Sequence, residues 1–136
     1  MQTETRITAR YAETDQMGIV HHSIYPIWFE AGRTDYLRNA GVSNSEIEAK
    51  GIFLPLSHME CTFKSPVRYE DRIVINTRIH KLTCARLEFT YEINDYEGKV
   101  LATGNTSHAW TDKSLKPLNI EKKQPELFNI LKAALE

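Results

Sequence analysis

The spacing of apolar residues changes from alternation to a helical period, and then returns to alternation. Residues 5–11 alternate, with Ile7, Ala9 and Tyr11 on the apolar face, which predicts a short half-buried strand. Residues 23–40 place apolar positions every three or four residues, which predicts a helix with a broad apolar stripe. The stripe consists of Tyr25, Trp28, Phe29, Gly32, Tyr36, Leu37 and Ala40.

The predicted helix has clear start and stop signals. Ser23 is suited to be its N-cap, Pro26 falls in the first turn where a missing N–H costs nothing, and Gly41 follows the last periodic residue. Gly32, in the middle, costs about 1 kcal/mol relative to alanine. We therefore expect another part of the chain to approach the helix closely at Gly32.

Strand patterns dominate the chain after this helix. A short polar helix is predicted for residues 43–50, and a short amphipathic helix for residues 125–135. Between them the pattern is extended over residues 53–64, 73–79, 85–93 and 100–111, with a hairpin turn at 94–99. The strict alternation of apolar and charged residues in 85–93 indicates an antiparallel sheet with one covered face.

These elements predict an α+β fold in which a curved antiparallel sheet of about five strands covers one long helix. The pattern leaves one alternative open, an open α+β sandwich with the helix packed flat on the sheet. The 136 residues suit a single domain, residues 1–136.

Composition and charge narrow the class of protein further. The 17 basic and 18 acidic residues give a net charge of −1, so no global field favours a nucleic acid as the main partner. The N-terminus is polar without an apolar stretch behind it, and the longest apolar stretches are far short of the ~20 residues that a bilayer needs. We expect a cytoplasmic protein without a membrane span, in which Cys61 and Cys84 are buried thiols.

Common catalytic signatures are absent from the sequence. No nucleophile elbow, phosphate-binding loop, dinucleotide fingerprint or zinc-protease motif occurs. The five histidines lack metal-ligand spacing, and the adjacent side chains of His21 and His22 are expected to point in different directions. We therefore predict no metal site.

The segment between the first strand and the helix is the part that indicates chemistry. Asp15 and Gly18 are typical of a turn, and this turn leads directly into the predicted helix. A helix N-terminus presents free backbone N–H groups and the positive end of the helix dipole, which together stabilise an anion. A carboxylate and a site for a developing oxyanion are therefore expected to be neighbours here.

The residues around this turn, and several later ones, form a distinctive pattern. The first part comprises Arg10, Tyr11, Glu13, Asp15, Gly18, Val20, His22, Tyr25, Phe29, Glu30 and Arg33. The later part comprises Phe63, Lys64, Ser65, Pro66, Val67, Tyr69, Asp71, Ala85, Arg86, Thr106, His108 and Ala109. Together they resemble the 4-hydroxybenzoyl-CoA thioesterase-like family, the hotdog-fold acyl-CoA thioesterases, over nearly the whole chain.

The resemblance implies the hotdog fold, in which an antiparallel sheet wraps a helix. It also implies hydrolysis of a fatty or aromatic acyl-CoA to free CoA and a carboxylic acid. By the same resemblance Asp15 is the catalytic carboxylate, as general base or nucleophile, and the backbone N–H of His22 polarises the thioester carbonyl. The His22 imidazole either orders the loop or a water, or serves as a cap or packing residue.

Further site residues follow from the same resemblance. The expected substrate contacts are Gly18, Val20, Tyr25, Lys64, Arg68 and Arg86. Tyr25 either lines the acyl pocket or packs in the core, and the three basic residues are candidates for the CoA phosphates. Glu30 and Arg33 lie three apart on the helix and are expected to pair with each other.

The resemblance also addresses cofactor and assembly. CoA is part of the substrate, so no cofactor is expected. Family members form homodimers or homotetramers, as dimers of dimers with the active site at a subunit boundary, and we expect the same here.

Thioester hydrolysis needs few catalytic groups, because a thiol with a pKa of about 8.5 can leave as thiolate near neutral pH.

Two other functions stay open. An acyl-thioester hydratase or dehydratase would use Asp15 with His21 or His22, although that spacing exceeds the usual hydratase pattern. A non-catalytic acyl-CoA-binding domain would gain nothing from a carboxylate beside the thioester. The choice between CoA and acyl carrier protein as the donor is also open.

Overall fold

The computed structural model describes residues 1–135, and within them five strands form one antiparallel sheet. The strands are β1 (Thr3–Thr8), β2 (Leu56–Phe63), β3 (Arg72–Leu82), β4 (Arg86–Asp95) and β5 (Val100–Ala109). Their order across the sheet is β1-β3-β4-β5-β2, so that β1 and β2 form the two edges. The sheet confirms the predicted antiparallel architecture.

The helices are α1 (Tyr25–Ala40), α2 (Asn44–Ala49), α3 (Ile120–Lys123) and α4 (Pro125–Leu135). Two short 3₁₀ turns, Tyr11–Glu13 and His22–Ile24, lie between β1 and α1. Helix α1 contacts β1, β3 and β4, and α4 packs against β3. No helix in residues 1–135 is long and apolar enough to cross a membrane.

The apolar stripe of α1 is buried against the inner face of the sheet. Phe29 stacks on Tyr91 of β4, with ring centroids 4.3 Å apart, and Tyr36 meets Phe89 edge-on at 5.7 Å. The alternating residues of β3 and β4 supply the other side of this core, because successive side chains of a strand point to opposite faces. The main part of the core therefore lies between α1 and the centre of the sheet, and the buried face of α4 extends it beside β3.

The expected close approach at Gly32 is confirmed. A Cβ at this position would collide with the side-chain oxygen of Thr77 on β3 and would press against Ile75 at 3.1 Å. Glycine here lets the helix backbone lie directly on the sheet, which offsets its low helix propensity.

Several local predictions were wrong at the start of the helix. Ser23 is not the N-cap: His21 takes this place, and its Nδ1 accepts a hydrogen bond from the Ser23 backbone N–H. The α-helix proper begins at Tyr25, after the 3₁₀ turn. Tyr11 does not share the buried face of β1, because the chain has left the sheet there, and its side chain is 76% exposed.

The prediction of two buried thiols was also wrong. Both cysteines are free, Cys61 is half-buried on β2, and Cys84 is exposed. Cys84 lies in the short connection between β3 and β4, where its carbonyl accepts from the Ile120 N–H at 3.0 Å while the residue stays exposed.

Candidate active site

Asp15 lies in a compact loop between β1 and α1. The Asp15 N–H donates to the Ile19 carbonyl at 2.9 Å, and Thr14 pairs with Val20 in an antiparallel bridge. The Val20 N–H donates to the Val67 carbonyl at 2.7 Å, which attaches the loop to the segment after β2. The loop is therefore held by backbone hydrogen bonds on both of its sides.

The Asp15 carboxylate is partly exposed, and only one of its two oxygens accepts a hydrogen bond. Its Oδ1 accepts a hydrogen bond from the Met17 N–H at 2.8 Å. Within residues 1–135 no hydrogen bond or ion pair occupies Oδ2. One oxygen therefore fixes the turn, and the other is free to act on a substrate or water.

Gly18 closes the same turn. Its N–H donates to the Asp15 carbonyl at 2.9 Å, and its φ of +79° lies in the left-handed region. A side chain would be strained in this conformation although space is open around it. Gly18 therefore has a conformational role in positioning Asp15.

Glu13 is a buried carboxylate that connects this loop to α1. It is 5% exposed, and its Oε1 accepts from the Arg10 N–H at 2.8 Å. Its Oε2 accepts from the indole N–H of Trp28 at 3.3 Å, and the guanidinium of Arg10 lies at 3.4 Å. The Glu13 carbonyl accepts from the His21 N–H at 2.9 Å, so this residue spans the loop from its entry to its exit.

Glu13 was not among the site residues expected from the sequence. The available signal was the glutamate three residues after Arg10, whose carboxylate accepts from the Arg10 N–H across the first 3₁₀ turn. Its burial under Trp28 depends on the tertiary packing of α1 against the loop, which that local signal does not contain.

The start of the helix provides a backbone N–H that is free to donate a hydrogen bond. Within residues 1–135 the backbone N–H of His22 has no hydrogen-bond partner, whereas Ser23 and Ile24 both donate to His21. The 3₁₀ turn continues directly into α1, so this N–H lies at the positive end of the helix dipole. It is suited to bind a developing oxyanion.

The His21 and His22 side chains do not diverge as expected. Their ring centroids lie 4.1 Å apart with an angle of 33° between the planes, and His21 has an extended backbone just before the 3₁₀ turn that His22 begins. The His21 imidazole also contacts the Ser23 hydroxyl at 2.8 Å. The His22 ring is exposed, and His21 is the residue that caps the helix.

Val20 and Tyr25 are buried in the core. The Tyr25 ring packs against Trp28 at 5.1 Å and against Phe63 at 4.8 Å. Burial raises the pKa of Tyr25 above its ordinary value, and the neighbouring Cys61 raises it further. The phenol is therefore neutral at pH 7 and packs as a core residue.

The three basic residues considered for CoA lie at two different places. Arg68 pairs with Ile19 of the Asp15 loop, and Lys64 follows β2 a few residues earlier. Arg86 lies at the far end of β2, where its guanidinium donates to the Ser57 hydroxyl at 3.1 Å. At about 3.3 Å per strand residue, roughly 20 Å separate the two ends, so one protomer does not bring all three together.

Arg33 does not pair with Glu30. Its Nη1 donates to the Tyr91 hydroxyl at 3.2 Å, and no carboxylate in residues 1–135 lies within 4.0 Å of the guanidinium. Arg33 faces the sheet, and Glu30 faces the solvent. Spacing along the helix predicts which side chains can meet, but here β4 supplies the partner.

A buried polar chain continues from Arg33 through the core. The Tyr91 hydroxyl lies 2.6 Å from Thr106 Oγ1, which lies 2.9 Å from His108 Nε2. The Nδ1 of His108 lies 3.1 Å from the Leu54 carbonyl. Burial lowers the pKa of His108 from 6.5 to about 4, and the Arg33 charge contributes, so the ring is neutral at pH 7.

These contacts determine which group donates in each hydrogen bond of this buried polar chain. Because a carbonyl only accepts, His108 carries its proton on Nδ1, and its Nε2 accepts from Thr106. Thr106 therefore accepts from Tyr91, and the Tyr91 oxygen accepts from Arg33.

No group of three or more potential metal ligands occurs in the described part of the chain.

Comparison with known proteins assigns the family. The model of the thioesterase-like superfamily matches residues 9–133. The chain is 34% identical over 125 residues to a putative acyl-CoA thioesterase, YneP, of Bacillus subtilis, which covers 91% of both proteins.

Solved structures give the same result. A DHNA-CoA thioesterase from Staphylococcus aureus superposes with a TM-score of 0.93 at 30% identity, covering 97% of this chain and 89% of that one. A hypothetical protein from Thermus thermophilus superposes with a TM-score of 0.89 at 36% identity, covering 98% of both chains.

Fold and sequence together define a hotdog-fold thioester hydrolase, which excludes the flat open sandwich. The chain belongs to the thioesterase-like superfamily.

Proposed function

We propose that this protein hydrolyses an acyl-CoA to free CoA and a carboxylic acid, with Asp15 as the catalytic carboxylate. The observation that carries the proposal is the free Oδ2 of Asp15 in a loop that ends at the unpaired N–H of His22. The names of the relatives, a putative acyl-CoA thioesterase and a DHNA-CoA thioesterase, support the CoA ester as the substrate.

The reaction needs two contributions from this chain. The thioester carbonyl oxygen accepts a hydrogen bond from the His22 N–H, which becomes stronger as negative charge develops on that oxygen. One such donor stabilises the transition state by about 3–4 kcal/mol. Gly18 and Val20 position the loop for this contact, and His21 caps the helix start.

Asp15 supplies the second contribution by one of two routes. As general base, it takes a proton from a water whose oxygen attacks the carbonyl carbon. As nucleophile, its Oδ2 attacks that carbon to form a mixed anhydride, which water then hydrolyses. In both routes the C–S bond breaks and CoA leaves as thiolate.

Lys64 and Arg68 are proposed to bind the CoA phosphates, because both are exposed near the Asp15 loop. Arg86 lies at the other end of β2 and can join them only from a second copy of the chain. This position supports a homo-oligomeric enzyme.

The test is Asp15→Asn, assayed by thiol release from a panel of acyl-CoAs. The amide retains the Oδ1 acceptor for the Met17 N–H but removes the charge, so we expect turnover to fall at least 100-fold, the scale of general-base catalysis. Asp112→Asn is the matched control, because Asp112 Oδ1 accepts from the Ser114 N–H in the same kind of turn. Unchanged turnover in Asp15→Asn would exclude this mechanism, and hydration of crotonyl-CoA without thiol release would favour a hydratase.

A further inference from the structure

A cavity of about 350 Å³ opens beside the first turns of α1. Its exposed lining is apolar, with Ile27 from the helix and Leu56 and Met59 from β2. Its inner lining is polar, with half-buried Arg33 from the helix and buried His108 from β5. A second cavity of about 230 Å³ adjoins it and shares Arg33 and His108.

Arg33 is the one group in the buried polar chain with hydrogen-bond donors to spare. Tyr91 and Thr106 each use their single proton, and His108 uses its one N–H on the Leu54 carbonyl. A guanidinium has five N–H donors, and Tyr91 is the recipient of one of them. The chain therefore orients the Arg33 guanidinium and leaves most of its donors available.

The charge of Arg33 is also uncompensated. No carboxylate of residues 1–135 lies within 4.0 Å of it, and His108 is neutral at pH 7. A half-buried guanidinium favours a bidentate carboxylate partner. Glu30 also lines both cavities and is exposed, so its negative charge opposes an entering anion to some degree.

The position of Arg33 along the helix limits the length of an acyl group. Arg33 follows His22, whose N–H is assigned to the carbonyl, by eleven residues, which is roughly 18 Å along the axis at about 2.0 Å per residue in the 3₁₀ turn and about 1.5 Å in α1. Long side chains on a helix lean toward its N-terminus, which shortens the gap that a ligand has to span. The Arg33 side chain and a hydrogen bond of about 3 Å at each end of the ligand take up much of this distance. The remaining gap suits a six-carbon chain or a single ring better than a long fatty acyl group.

We propose that the cavity beside α1 selects acyl groups whose far end carries a carboxylate, and that Arg33 binds this carboxylate. The proposal rests on the proposed acyl-CoA hydrolysis and names the substrate class of that site. The carbonyl lies at the helix start, the methylene chain crosses the apolar lining, and the terminal carboxylate reaches the guanidinium.

The test compares adipoyl-CoA with hexanoyl-CoA, which have the same chain length and differ in the terminal carboxylate. We expect wild-type kcat/KM to favour adipoyl-CoA, and Arg33→Gln to reduce this preference roughly tenfold, the effect of losing one charge-assisted hydrogen bond. Arg33→Lys should keep part of the preference because it keeps the charge. Glu30→Gln should increase the preference, since it removes an opposing charge.

Arg38→Gln is the matched control. Arg38 lies on the same helix, is 66% exposed and pairs with Asp35, so its loss should leave the preference unchanged. Thermal unfolding of each variant separates a binding effect from a folding defect. Equal loss of activity toward both substrates in a folded Arg33→Gln protein would overturn the proposal, as would a wild-type preference for hexanoyl-CoA.

A binding measurement separates this proposal from the proposed function. Asp15→Asn protein is titrated with each intact acyl-CoA in a calorimeter, where turnover is not needed. Tighter binding of adipoyl-CoA that depends on Arg33 supports the subsite even if the enzyme hydrolyses neither ester. Equal binding of both esters would overturn it, whatever the hydrolysis assay gives.

Discussion

His108 shows how burial changes the chemistry of a single side chain. It is 3% exposed and donates to a backbone carbonyl, so it is held in its neutral form. Its proton-accepting nitrogen is already occupied by Thr106. His108, one of the residues that carry the family resemblance, is therefore a structural hydrogen-bond acceptor in the fold.

This residue leads to a prediction about pH. Because the folded pKa of His108 is about 4 and the unfolded value is about 6.5, the unfolded state binds more protons between these values. Stability is therefore expected to be full above pH 6.5 and to fall as the pH drops toward 4. Between pH 7 and pH 5 this one group should cost roughly 2 kcal/mol.

The measurement is urea unfolding of wild type and His108→Gln at pH 7 and pH 5. The variant is expected to be less stable at pH 7 but to lose less stability between the two pH values. An equal loss in both proteins would contradict the role assigned to this residue. Exposed His80 on β3 provides the control variant, His80→Gln, which should behave as wild type.

At the scale of elements, the important contact joins the Asp15 loop to α1. Glu13 accepts hydrogen bonds from the Trp28 indole on α1 and from Arg10 at the loop entry. A buried indole N–H needs an acceptor, and a buried carboxylate needs donors, so each stabilises the other. The Asp15 loop is thereby positioned by the helix at whose N-terminal end the His22 N–H lies.

Glu13→Gln tests this positioning role. The amide keeps the shape and one oxygen acceptor but loses the charge, so we expect kcat to fall about tenfold with little change in KM. Glu13→Ala should also lower the free energy of unfolding by about 1–3 kcal/mol, since it leaves the Trp28 N–H unpaired. Steady-state kinetics and urea unfolding measure the two effects.

A purely structural role for Glu13 would give a different result. In that case Glu13→Gln would change stability but leave kcat per folded molecule unchanged. Glu97→Gln is the control, because Glu97 lies exposed in the hairpin turn between β4 and β5. It should change neither quantity.

At the scale of the whole molecule, the two edges of the sheet differ in character. Strand β2 is exposed over almost its whole length and presents Leu56, Met59 and Phe63. Strand β1 carries charged Glu4 and Arg6 at its exposed positions, which discourage pairing with another strand. We therefore expect a second copy of the chain to pair along β2.

Met59→Asp tests the assembly. In an antiparallel pair of identical strands the substitution places like charges near one another, so we expect the oligomer to dissociate at concentrations where wild type remains assembled. Sedimentation equilibrium gives the mass. Thr8→Asp on the exposed side of β1 is the control, and loss of assembly in that variant instead would assign the interface to the other edge.

The sequence by itself determined the elements and the turn that contains Asp15. The apolar stripe of α1, the alternation of β4 and the turn around Asp15 and Gly18 are patterns within a few residues of one another. Local backbone preferences and side-chain periodicity are sufficient for such features. The unusual Gly32 also indicated the close packing of the helix on the sheet.

Only the tertiary structure decided which groups meet across the fold. Arg33 bonds to Tyr91, 58 positions away, and not to Glu30 one turn back on its own helix. Glu13 is buried because Trp28 packs over it, and His108 is neutral because β5 is covered by α1 and the chain before β2. These outcomes depend on burial and on competition among distant partners, which the local sequence pattern does not contain.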